Sequence, residues 1–93
     1  MNESNQIDVK VTYPSAHGPA ERTFPPTATV GDVKAFALAE FGLQEQTVDG
    51  NQIVFFLYFQ DDRQDDLTRQ LRTFPNHPNN KLHFRLAKEI IAG

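Results

Sequence analysis

Side chains able to do chemistry are few and scattered in this sequence. His17, His77 and His83 lie far apart and follow no metal-ligand spacing. Asp61, Asp62, Asp65 and Asp66 crowd one short segment, which raises the question of calcium. They lack the alternate-position ligands, the central glycine and the distal bidentate Glu of a calcium loop, so a solvated acidic turn fits better. No serine–histidine–acid arrangement, phosphate loop or dinucleotide fingerprint is present. With no cysteine, thiolate ligands, disulfides and cysteine nucleophiles are excluded. The chain does not read as an enzyme, and neither metal nor cofactor is expected. What remains is surface chemistry. Residues 53–59, Ile-Val-Phe-Phe-Leu-Tyr-Phe, are apolar at every position, so a strand there has two sticky faces. One must meet the core. The other, with Val54, Phe56 and Tyr58, is either an interaction surface or an ordinary strand covered by loops or by a second copy.

Size and charge bound the partners. Ninety-three residues make one domain with one modest core. A hydrophobic content of 39% with eight Phe is enough to fill that core, which argues against wholesale disorder. The formal charge of −3 gives no electrostatic case for nucleic acid or an anionic membrane. The polar start, residues 1–6, has no basic-then-apolar leader, and residues 53–59 are too few to span a bilayer. Absent cysteines favour the cytoplasm modestly.

The elements that must position these residues follow from patterning. Ile7, Val9, Val11 and Tyr13 alternate with Asp8, Lys10 and Thr12, the period of a half-buried strand. Residues 14–19, Pro-Ser-Ala-His-Gly-Pro, are a turn by composition, and 20–24 return as a second strand ended by Pro25-Pro26. Thr29 is a helix N-cap with Asp32 at the capping-box position. Val30, Val33, Ala37, Leu38 and Phe41 form one apolar stripe, and Gly42-Leu43 closes the helix. Residues 44–52 read as a polar connection with an Asp49-Gly50 turn, and 53–59 as the central strand. A short helical turn is expected over 67–71, led by Asp65 or Asp66, and a loop over 75–80. Leu82, Phe84 and Leu86 point inward in a last strand over 81–86. Residues 1–6 are thus a flexible lead, 7–87 the domain and 88–93 a tail.

Hairpin, crossing helix, central strand, acidic connection and last strand, in that order, resemble the β-grasp fold of the ubiquitin family. The segments 6–10 (Gln-Ile-Asp-Val-Lys), 26–34 (Pro-Thr-Ala-Thr-Val-Gly-Asp-Val-Lys), 41–43 (Phe-Gly-Leu) and 81–86 (Lys-Leu-His-Phe-Arg-Leu) are similar to that family's first strand, helix start, helix exit and last strand. The resemblance implies an α+β roll, a mixed four- to five-stranded sheet packed on one main helix. It also implies a non-enzymatic protein modifier whose terminal glycine, here Gly93, is activated as a carboxylate and joined to amines. Glycine suits that role because a residue without Cβ threads a narrow channel and bends freely. The implied partners are activating and conjugating enzymes, a deconjugating peptidase and protein targets. ATP would be the activating enzyme's cofactor.

This chain departs from the family pattern in three places. Ala92 stands where a second glycine is usual, a position at which several prokaryotic members of the family also vary. Ile90 and Ile91 replace a basic tail. Arg85 stands where the family's binding face is apolar. The resemblance places that face around Val54 or Phe56, with His83 and Arg85. A receptor evolved for an apolar patch would have to desolvate the Arg85 guanidinium, so a different set of binders is expected. Arg85 among aromatics has the composition of a binding hot spot. Lys10 and Lys34 match lysines used for chain linkage, although solubility alone accounts for a surface lysine. The competing expectation is a non-covalent β-grasp subunit of a larger complex, docking through its Phe-rich face, with the tail structural or disordered. A sulfur carrier is a third reading, against which Ala92 and the long connections weigh.

Overall fold

The computed structural model describes residues 6–74 and 81–92. Most of the expected lead, the expected 75–80 loop with His77, and Gly93 lie outside the described residues. Strand β1 (Ile7–Thr12) and antiparallel β2 (Ala20–Phe24) form the first hairpin. Helix α1 (Val30–Phe41) follows, then β3 (Gln46–Val48), β4 (Asn51–Phe59), two-residue β5 (Asp62–Arg63), a 3₁₀ turn (Leu71–Thr73) and β6 (Lys81–Ile91). Sheet order is β2-β1-β6-β4-β3, with β5 pairing β4 off that path. Among the described residues only β1 and β6 run parallel, so the sheet is mixed.

The helix is specified at both ends. The Thr29 hydroxyl accepts from the Asp32 amide at 3.2 Å, and Asp32 accepts from the Thr29 amide at 3.0 Å, a complete capping box. Gly42 takes the left-handed conformation (φ 69°), and the Leu43 amide reaches back to the Leu38 carbonyl at 2.8 Å. Val30, Val33 and Ala37 are buried against the sheet, with Leu38 and Phe41 half-buried beside them. Phe36, outside the expected stripe, closes edge-to-face on Phe24, and the Arg22 guanidinium lies over both rings. Sheet residues Ile7, Val9, Val11, Phe55, Leu57, Leu82, Phe84 and Leu86 complete the core.

Three expectations are corrected. Residues 46–48 are not plain connection but strand β3, because Asp49 (φ 52°) and Gly50 (φ 82°) make a tight hairpin turn. The helical turn expected over 67–71 is displaced to Leu71–Thr73. The reason lies in α1: its free Val30 and Gly31 amides take the Arg69 and Leu67 carbonyls at 2.9 Å each, so these cannot close a local helix. The third concerns the tail. Residues 88–91 are strand, paired with β4 through Ile53↔Ile90 and Gln52↔Ile91. Strand β4 begins two residues earlier than expected, which supplies the ladder partners.

The connection between β5 and β6 is held from beneath. Phe59, Phe74 and Phe84 pack mutually with centroids 4.9–5.7 Å apart. Arg69 stacks 3.9 Å over Phe74 and donates to Gln64 and Thr73, and Gln64 is buried. Among the described residues no helix is long and apolar enough to cross a membrane.

Candidate functional site

Because strand side chains alternate, burying Phe55, Leu57 and Phe59 turns Val54, Phe56 and Tyr58 to the opposite face of β4. There all three are half-buried. Antiparallel pairing with β6 sets Tyr58 opposite Arg85, Phe56 opposite Ala87 and Val54 opposite Glu89. The Arg85 guanidinium lies 4.5 Å from the Tyr58 ring centroid. Among the described residues no carboxylate lies within ion-pair distance of Arg85. His83, two residues back on the same face, is exposed and within 3.3 Å of the Thr12 hydroxyl on β1. The helix-free face of the sheet thus carries all five residues expected there. Tyr58, Phe56 and Arg85 form a contiguous centre, with Val54 and His83 at opposite ends.

Two further residues belong to this face. Arg63 on β5 lies 4.4 Å over the Phe56 ring and pairs with Asp65 at 2.8 Å. Glu89 accepts from the Tyr58 hydroxyl at 3.3 Å and lies 3.9 Å from the Arg63 guanidinium. Sequence patterning missed Arg63 because only the β4–β5 turn, with Gln60 (φ 51°) and Asp61 (φ 69°), folds it back over β4. Glu89 was within reach. Continuing the alternation 81, 83, 85, 87 gives 89, but Lys88 in an inward position breaks the apolar pattern. Lys88 is tolerated because it lies past the buried layer and is exposed.

Among the described residues no group of three metal-ligating side chains gathers. Two of the four clustered acids are engaged locally: Asp65 with Arg63, and Asp66 with the Thr68 amide and hydroxyl. The Thr68 hydroxyl, then its amide, holds the Asp66 carboxyl below its ordinary pKa. Lys34 is largely covered, its side chain 16% exposed, and bonds Glu45 at 3.0 Å. Lys10 is exposed on the open face. Strand β6 carries the chain to Ile91 at the sheet's end, with exposed Ala92 beyond it.

This geometry, a mixed sheet with a parallel β1–β6 centre curled around a single capped helix, is the ubiquitin-like β-grasp fold. Comparison with solved structures agrees. Ubiquitin from Caldiarchaeum subterraneum superposes with a TM-score of 0.67 at 22% identity, covering 96% of this chain and 100% of that one. A chain from a structure described as molecular mimicry of SUMO that promotes DNA repair gives a TM-score of 0.65 at 13% identity, covering 92% and 95%. No family model matches the sequence, and neither does any curated protein.

Proposed function

We propose that this chain is a ubiquitin-like protein modifier whose Gly93 carboxylate is activated and joined to amines. The observation that carries this reading is the match in fold to an archaeal ubiquitin, which covers 96% of this chain and 100% of that one. Its partners are an activating enzyme that uses ATP, a conjugating enzyme, a deconjugating peptidase and protein targets, in a cytoplasmic setting. The recognition surface is the open sheet face of Val54, Phe56, Tyr58, His83 and Arg85. Arg85, stacked on Tyr58 and without a carboxylate partner among the described residues, suits a binder that brings its own acid. The chain itself is not the enzyme.

The test is intact mass after incubation with ATP and candidate activating enzymes. A Gly93-dependent adenylate or thioester, absent in a Gly93 deletion, is the expected result. Unchanged mass with every candidate supports the second reading, a non-covalent docking subunit. One observation favours that alternative: residues 88–91 are paired with β4 rather than free of the sheet.

A further inference from the structure

Strand β6 outruns the core it belongs to. Eleven residues of strand extend about 36 Å, whereas the twelve-residue helix α1 spans about 18 Å. Beneath the sheet, burial on β6 ends at Leu86, opposite Leu57. Farther on, Phe55 is the last buried residue of β4, and Tyr13 and Phe41 close that end of the core. At the final pairs, Ile53↔Ile90 and Gln52↔Ile91, Ile53 still packs against the core but Ile90 and Ile91 do not join it. Ile90 is 62% exposed and Ile91 45% exposed, so neither side chain contributes a buried anchor. Backbone pairing with β4 and the long contacts of Glu89 to Tyr58 and Arg63 are what hold residues 88–91.

We infer that residues 88–91 form a latch, a strand end that opens separately from the domain and sets when Gly93 becomes available. The inference rests on the reading of Gly93 as the reactive end. With the latch shut, pairing with β4 occupies the backbone of residues 88–91. A channel that must surround these residues as a single extended chain therefore meets the open form. Peeling sacrifices ladder hydrogen bonds and two partly exposed isoleucine contacts, without opening a cavity in the core. Local opening with small loss of buried surface is the pattern expected of a low-stability segment.

Amide hydrogen exchange of the full chain, resolved by residue, tests this. Amides of 88–91 that bond to β4 should show at least about tenfold protection over unstructured peptide, and at least about a hundredfold less than ladder amides of 82–86. Glu89→Ala and Ile90→Ser should each speed exchange at 88–91 by about threefold while leaving 82–86 unchanged. No protection at 88–91 overturns the latch, because the segment is then simply free. Protection equal to that of 82–86 also overturns it, because the strand then opens only with the whole domain. Failure here is distinguishable from failure of the modifier reading. A Gly93 adenylate without protection at 88–91 removes the latch alone, and protection without any adenylate removes the modifier alone.

Discussion

Glu45 ends the polar stretch after the helix, yet its carboxylate does the work of a missing strand residue. The β3–β4 ladder ends at Gln46↔Ile53, and the Phe55 amide, next in line on β4, would lack an acceptor. Glu45 Oε2 accepts from it at 2.9 Å and from Lys34 at 3.0 Å. Replacing Glu45 by Ala strands a half-buried amide and a mostly covered ammonium together, a loss of about 2 kcal/mol. For a domain of this size that lowers Tm by about 8–15 °C. Glu45→Gln retains an acceptor for Phe55 and loses only the charge, so about half the effect is expected. Burial pushes the Glu45 pKa up, but the Phe55 amide and then Lys34 outweigh it, and the carboxyl sits below its ordinary value. A depressed folded pKa contributes stability that is present above the unfolded pKa and lost as pH falls through the folded one. The gap between wild type and Glu45→Gln should therefore narrow in acid. Thermal melts followed by circular dichroism at neutral and acidic pH measure all three quantities. A Glu45→Ala variant as stable as wild type, a Gln variant as damaged as the Ala one, or a gap that widens in acid would refute this account.

Two other substitutions probe the helix ends. Gly42→Ala places a Cβ at φ 69° and should cost about 1 kcal/mol, seen as a lower urea midpoint at unchanged slope. Gly31→Val puts a branched side chain where even a Cβ would sit 3.1 Å from the Leu67 carbonyl, the group that accepts the Gly31 amide. Destabilisation by about 1–3 kcal/mol is expected, with faster amide exchange at Val30 as the docked 67–69 segment is pushed away.

The helix and the first hairpin were legible because their signals are local. Thr29 and Asp32 cap within four residues, Gly42 closes within two, and Ile7, Val9 and Val11 alternate without interruption. The membership of the open sheet face was legible for the same reason, since period-two alternation on β4 and β6 fixes which side chains share a side. What patterning missed depends on contacts distant in sequence. Strand β3 is three exposed residues with no apolar face, and it exists because the Asp49-Gly50 turn lays it on β4. The displaced 3₁₀ turn reflects carbonyls claimed by the helix start some forty residues away, and Arg69 gives no sign in sequence that it will stack on Phe74. The strand over 88–91 was hidden by Lys88, a charge where alternation demands an apolar residue. Once the partner strand outlasts the core, that demand lapses and the ladder continues on backbone bonding alone.

Glu89 joins the two halves of the functional reading. It bonds the Tyr58 hydroxyl and approaches Arg63, both on the open sheet face, while its own backbone lies in the paired 88–91 strand end. Two cations on that face, Arg85 over Tyr58 and Arg63 over Phe56, each cover an aromatic ring that would otherwise stand open. Exposed stacking of this kind is worth only about 0.5–1 kcal/mol, so a partner with a well-placed carboxylate can draw an arginine away from its ring. Drawing Arg63 toward a partner also draws it from Glu89 and weakens one hold on residues 88–91. Linkage is reciprocal: whatever binds the face better with Glu89 released must favour the open strand end by the same factor. Arg63 approaches Glu89 directly, whereas Arg85 reaches it only through Tyr58, so Arg63→Ala should weaken the coupling of face and tail more than Arg85→Ala does.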